Sequence, residues 1–218
     1  MANTIEQQAA AQEQQVNKTE AFFEKNKKAL ICAVVAIIVI VVGFILCNNY
    51  YLEPRANEAS TELGKSQELF DQQQYDKALA GFQKVAADYS STDAGNLAQL
   101  YIGLCQANLG KWQEAVAALE DFDGQDDQMI SPAAEGALGN AYAHLKQLDK
   151  AVEHLKKAAK KADNNSLSPL FLIQAGEILE SQGKKDEALK LYQEVKEKYQ
   201  NSMQYQSIDK YIERASVK

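Results

Sequence analysis

Cysteine and proline are scarce in this 218-residue chain, three of each, and there are only two histidines and one tryptophan. So few cysteines exclude a disulfide-built scaffold. So few prolines exclude a polyproline linker or a collagen-like chain. Basic charge is also short, with 23 Lys and Arg against 30 Asp and Glu and a net charge of −7. The deficit is uneven. Residues 1–55 hold five basic residues (Lys18, Lys25, Lys27, Lys28, Arg55) and five acidic ones (Glu6, Glu13, Glu20, Glu24, Glu53). The remaining 18 basic and 25 acidic residues follow, so the whole −7 falls on residues 56–218. An acidic surface argues against nucleic acid, which needs basic groups to neutralise phosphates. No nucleophile elbow, phosphate-binding glycine loop or dinucleotide glycine pattern is present, so neither cofactor nor catalytic residue is expected.

What the chain does have is one long apolar run. Residues 29–47, ALICAVVAIIVIVVGFILC, carry no charge. As a helix they reach about 28 Å, close to the ~30 Å hydrocarbon thickness of a bilayer. Val and Ile are modest helix formers in water, but lipid leaves the backbone no other partner than itself. A cleavable signal would have a shorter core and a small-x-small site, which Cys47-Asn48-Asn49-Tyr50-Tyr51 does not supply. The expectation is an uncleaved single-pass anchor, flanked by Phe22, Phe23, Tyr50 and Tyr51 as interfacial aromatics. Lys25, Lys27 and Lys28 precede the span, whereas Arg55 follows it beside Glu53. By the positive-inside rule the N-terminus is cytoplasmic and the remainder crosses, into the periplasm if the membrane is a bacterial inner membrane. A mitochondrial outer-membrane receptor with a cytosolic helical domain is the competing geometry. Cys32 and Cys47 sit at opposite ends of the span and Cys105 lies far along the chain, so no intrachain disulfide is expected. Ala29/Ala33 and Gly43/Cys47 are small-residue pairs, a weak signal for helix association that leaves homo-oligomerisation open. Residues 1–28 read as a cytoplasmic tail whose Gln- and Ala-rich beginning, poor in apolar surface, is disordered or marginally helical.

Beyond residue 56 the chain repeats itself. Tyr75-Asp-Lys-Ala78, Trp112-Gln-Glu-Ala115, Leu148-Asp-Lys-Ala151 and Lys185-Asp-Glu-Ala188 share a frame, with their alanines 37, 36 and 37 residues apart. Four residues after each Ala comes a large side chain: Phe82, Leu119, Leu155, Tyr192. Twelve residues before each comes a small one: Ser66, Gly103, Gly139, Gly176. This spacing predicts pairs of helices that approach closely where small residues meet, with the large ones filling the grooves. Gln74, Gly110, Lys146 and Gly183 fall at the turn inside each pair, and the two glycines suit a left-handed helix terminus.

These residues resemble the tetratricopeptide repeat, most closely in the third unit, where Leu138-Gly139, Tyr142, Ala151, Leu155 and Ala158 occupy signature positions. The first unit departs most, with Ser66 for Gly and Leu69 for the aromatic; the fourth has Lys185 where Leu or an aromatic is usual. The resemblance implies an all-α solenoid of four helix pairs over residues 57–202, in units at about 59–92, 96–129, 132–165 and 169–202. A juxtamembrane segment (48–56) precedes it. Residues 203–218, with Tyr205, Ile208, Tyr211 and Ile212 at helical spacing, form a capping helix and C-terminus.

The residues that chemistry would need are dispersed. His144 and His154 are ten residues apart on different predicted helices, without the further ligands a metal site requires. The acidic run Glu120, Asp121, Asp123, Asp126, Asp127 has Gly124 and Pro132 in the wrong register for a calcium loop. Cys105 reads as a packed small residue. No metal is expected. The family resemblance instead implies a concave groove lined by the second, fifth, ninth and twelfth residues of each first helix: Leu97, Leu100 and Leu104 in the second unit, Asn140 and Ala143 in the third, and Leu170, Ile173 and Glu177 in the fourth. Ala107, Ala133, Gly136 and Glu180 complete that pattern. Only Asn140 suits the family's clamp for C-terminal carboxylates. The groove is apolar at its middle and acidic toward the fourth unit, suited to an apolar or basic segment. The alternative makes Leu97, Leu100 and Leu104 core, or covered by the chain's own juxtamembrane helix.

Tail, anchor and four-unit domain together resemble the ancillary subunit of the bacterial SecYEG translocon. That resemblance implies a non-enzymatic inner-membrane scaffold meeting the translocon, periplasmic chaperones or exported clients. The alternative is a tetratricopeptide scaffold for another envelope-assembly, secretion or cell-division complex.

Overall fold

The computed structural model describes residues 2–124 and 126–217, with side chains from Lys25 onward, as two bodies, residues 1–55 and 56–218. The first body contains α1 (Ala2–Cys47), followed by a π-helical turn over Asn48–Leu52. The Gln- and Ala-rich beginning is helical within α1, in keeping with the high helix propensity of both residues. Nearly every side chain of the apolar run is exposed, Ile40 and Phe44 to about 70%. Among the described residues one helix is long and apolar enough to cross a membrane.

The second body is built entirely of helices among its described residues. They are α2 (Glu53–Asp71), α3 (Tyr75–Asp88), α4 (Asp93–Asn108), α5 (Trp112–Glu120), α6 (Ile130–His144), α7 (Leu148–Ala162), α8 (Ser168–Ser181), α9 (Lys185–Lys198) and α10 (Ile208–Ser216). A 3-10 turn over Met203–Ser207 precedes α10. The four pairs α2/α3, α4/α5, α6/α7 and α8/α9 follow one another, and α10 closes the stack, as the repeat spacing predicts.

One turn joins the helices of every pair. Gln73, Gly110, Lys146 and Gly183 have φ of 60°, 75°, 62° and 75°. In the first unit the left-handed residue is therefore Gln73, one position before the expected Gln74. The following amide reaches back across the helix end in all four units: Gln74 to Leu69 O (2.9 Å), Lys111 to Gln106 O (2.8 Å), Gln147 to Tyr142 O (2.9 Å), Lys184 to Leu179 O (2.9 Å). These are the six-residue bonds that terminate a helix through a left-handed residue.

Packing explains the rest of the repeat. Ala78, Ala115, Ala151 and Ala188 are fully buried, as are Phe82, Leu155 and Tyr192. Burial of each large side chain contributes roughly 1.5–3 kcal/mol. A Cβ on Gly139 would lie 2.9 Å from Leu155 Cγ and 3.1 Å from Ala151 O, and one on Gly103 would lie 2.5 Å from Leu119 Cγ. A Cβ on Gly176 would strike the Tyr192 ring. The small residue of the first helix is thus the seat for the large residue of the second. In the first unit the seat is divided between Ser66 and Gly81, which face each other. α10 buries Ile208 and Ala215 and lays Tyr211 and Ile212 against the core of the fourth unit.

Candidate functional site

The first helices of the units, α4, α6 and α8, each carry a line of exposed or half-exposed side chains. A helix returns to the same face after three or four residues, and exposure picks out that line on each. On α6 it passes through Ala133, Ala137, Asn140 and His144; on α8 through Leu170, Gln174, Glu177 and Ser181. On α4, Leu97 and Leu104 are half-buried. Leu170 is 39% exposed, the most open large apolar side chain of α8. Ala143 is half-buried against the same cluster as Leu97 and Leu104.

Leu100 and Ile173 lie elsewhere. Each is 6% exposed inside a hydrophobic cluster. Gly136, at the equivalent place on α6, is buried beneath the Phe171 ring. The fifth position of each first helix therefore faces the neighbouring unit. The positions at four-residue steps, Ala137 and Gln174, replace it on the open face. The family pattern did not single these two out, although the stripes starting at Ala133 and Leu170 contain them.

Electrostatics at the fourth-unit end also differs from the sequence reading. Glu180 does not stand open, and Glu177, though exposed, has a cation near it. The guanidinium of Arg214, on α10, donates from Nε to both carboxylate oxygens of Glu180 (3.2 and 3.1 Å) and from Nη2 to one of them. Its Nη2 is 3.8 Å from Glu177 Oε1, and its guanidinium lies 5.0 Å from the Tyr211 ring centre. Tyr192 donates its hydroxyl to Glu180 at 2.9 Å. Burial opposes ionisation of Glu180, but the bonds from Arg214 and Tyr192 outweigh it and hold the carboxyl below its ordinary value.

Reactive side chains elsewhere are engaged in packing or capping. Between the second and third units a cavity of about 260 Å³ contains Glu135, His154, Lys157 and Lys161. Glu135 accepts from Lys157 (2.6 Å) and Lys161 (3.0 Å), and its other oxygen is 3.0 Å from His154 Nδ1. Burial alone would raise the Glu135 carboxyl; these contacts overcome it and lower the pKa to about 2. That is a carboxylate held ionised, the opposite of a general acid near neutrality. His154 stacks on Tyr142, and His144 stacks on Trp112 with ring centres 3.7 Å apart. Asp127 accepts from the Met129, Ile130 and Ser131 amides and from the Ser131 hydroxyl, capping α6. Asp123 exchanges two backbone bonds of 2.8 Å with the Asn96 amide side chain. Cys105 is buried, and burial pushes its thiol up to about 11. Among the described residues no group of three or more His, Cys, Asp or Glu could hold a metal.

The profile of the tetratricopeptide repeat-like domain matches residues 20–213. Comparison with curated proteins gives no match. Among solved structures, the kinesin light chain repeats of Podosopora anserina are 16% identical, with 73% of this chain and 85% of that one covered and a TM-score of 0.59. MamA from Desulfovibrio magneticus RS-1 is 17% identical, covering 73% and 78%, with a TM-score of 0.51. YrrB, described as a tetratricopeptide protein with an unusual peptide-binding site, is 19% identical, covering 79% and 87%, at 0.51. Such identities show a shared fold and nothing finer. A profile match over most of its length, on a stack of four like helix pairs, makes this chain a member of the tetratricopeptide repeat-like domain family.

Proposed function

We propose that the protein is a membrane-anchored, non-enzymatic scaffold that receives an apolar segment of a partner protein on the inner face of its helical stack. The fold implies protein–protein interaction. The carrying observation is that Ala133, Ala137 and Asn140 are exposed or half-exposed along α6, with half-buried Leu97 and Leu104 on α4 before it and exposed Leu170 on α8 after it. Small side chains at the centre and larger apolar ones at the edges form a trough in which an apolar helix or extended segment can bury its own side chains. A fold relative, YrrB, is a tetratricopeptide protein with an unusual peptide-binding site, which supports a peptide as the kind of ligand. The binding residues are Leu97, Leu104, Asn140, Ala143, Leu170 and Glu177. Leu100 and Ile173 shape the trough from beneath.

The apolar run within α1 serves as the anchor, with Lys25, Lys27 and Lys28 on the cytoplasmic side and the repeat domain across the inner membrane. The order of tail, anchor and four-unit domain supports a role as an ancillary subunit of the Sec export machinery, meeting the translocon, periplasmic chaperones or newly exported chains. A photo-crosslinking residue at Leu104 or Leu170 in living cells tests this. Crosslinks to translocon subunits, chaperones or exported chains support it. Crosslinks confined to another envelope complex move the scaffold to that complex, and crosslinks to no protein overturn the trough. Met203, 86% exposed in the repeat domain, tests the topology. With the native cysteines replaced, Met203→Cys should react with a membrane-impermeant maleimide added outside the inner membrane; protection until lysis would reverse the orientation.

A further inference from the structure

The acidic end of the inner face carries a counter-ion supplied by the chain itself. Glu177 and Glu180 sit on α8 at the fourth-unit end of the trough, and alone they would draw a basic segment. Arg214 reaches them from the capping helix. Its Nε and Nη2 engage the Glu180 carboxylate while Nη2 lies 3.8 Å from Glu177. The guanidinium is held from both sides: the Tyr211 ring lies 5.0 Å away, and Tyr192 donates to the same carboxylate at 2.9 Å. Glu180 is largely covered, its side chain 14% exposed, whereas Arg214 and Glu177 are each 48% exposed. The arrangement is therefore a covered carboxylate under a half-exposed guanidinium, with one open carboxylate beside it.

We infer that Arg214 sets the charge selectivity of the inner face: it offsets the Glu180 carboxylate and leaves Glu177 as the one uncompensated charge of that end, so that uncharged apolar segments are accepted and lysine-rich ones gain little there. This deepens the proposed partner-binding role and rests on it. A cationic side chain arriving at Glu180 meets a carboxylate whose oxygens are already bonded to a guanidinium and a phenol, and a guanidinium of like charge beside it. Like-charge juxtaposition is the usual device by which an interface rejects a wrong partner. The cap helix then has two effects, closing the apolar end of the solenoid through Ile208 and Ala215 and correcting the charge of the trough through Arg214.

The test uses the full chain in detergent and two fluorescent peptides of one apolar helical pattern, one with glutamines and one with lysines on its polar face. Binding to detergent alone is subtracted. The expected result is that the wild type binds the two peptides about equally. Arg214→Gln should raise affinity for the lysine peptide about tenfold and leave the glutamine peptide within a factor of about two. Adding Glu177→Gln and Glu180→Gln to Arg214→Gln should abolish the gain. Arg214→Met, which keeps an apolar stem against the Tyr211 ring, should reproduce the effect if Arg214→Gln loosens the cap. Glutamine-peptide binding with no change of selectivity in either Arg214 variant overturns the inference while leaving the trough standing. Binding of neither peptide by any form overturns the trough, and the inference falls with it.

Discussion

The turns inside the units and the linkers between them solve one problem in two ways. Inside a unit, one backbone conformation recurs at Gln73, Gly110, Lys146 and Gly183, closed by main-chain bonds alone, and the residues at the next helix start make no side-chain cap bond. Between units, a different side chain acts each time. Thr92 accepts from Gly95 N (3.1 Å) at the start of α4. Asp127 caps α6. Asn164 accepts from Ser166 N and Leu167 N (2.9 Å each), and Ser168 donates to Ala159 O (2.8 Å). Ser202 accepts from Tyr205 N. A backbone-only turn asks of its side chains only that one residue accept a left-handed conformation, at a modest cost where it is not glycine. A side-chain cap depends on one residue, so the register between units is individually specified.

The comparison can be broken from its tightest point outward. Gly139→Val, placing a branched side chain where Leu155 and the Ala151 carbonyl already sit, should cost about 3 kcal/mol, read as a lowered urea midpoint. Acid should weaken the linker cap at Asp127 and the contacts of Glu135 with α7, and leave the main-chain turns untouched. Glu135 and Asp127 have folded pKa values below their ordinary ones, so their stabilisation is complete above the unfolded carboxylate pKa and is lost as pH falls through the folded one. For Glu135 the window runs from about 4.5 down to about 2. Its share is on the order of 1–2 kcal/mol after allowing for the solvent-exposed lysines. Glu135→Gln should flatten the profile over that range; an unchanged profile would show that Glu135 is uncoupled from folding. Asp127→Ala should cost about 1–2 kcal/mol and speed amide exchange in the first turn of α6 while sparing the turn at Lys146. Lys146→Gly should stabilise by about 0.5–1 kcal/mol, because it relieves a left-handed non-glycine residue. Asp127→Gly, by contrast, removes a cap and should gain nothing.

The helix pairs were legible because their signals are local. Ala78, Ala115, Ala151 and Ala188 repeat at near-constant spacing, and each finds its small partner twelve residues upstream, a distance set by helix rise and one tight turn. The positions missed were those decided across units. The pattern of second, fifth, ninth and twelfth residues placed Leu100, Gly136 and Ile173 on the open face; contacts with other helices bury all three and leave Ala137 and Gln174 half-exposed instead. Arg214 was invisible for a similar reason, since 34 residues separate it from Glu180 and nothing periodic links them.

Sequence alone determined the apolar run, the four-unit array, the cap and the acidic balance, because each arises from composition or from periods shorter than one repeat. Only tertiary structure decided which apolar side chains are left over for a partner and what charge the trough presents. Both depend on how neighbouring units and the cap meet. A buried Ile173 and an open Leu170 are three residues apart on one helix and chemically alike; the adjoining helix distinguishes them. The carboxylates of Glu177 and Glu180 carry the same formal charge in any chain, but only the tertiary structure brings a guanidinium from α10 onto Glu180 and near Glu177.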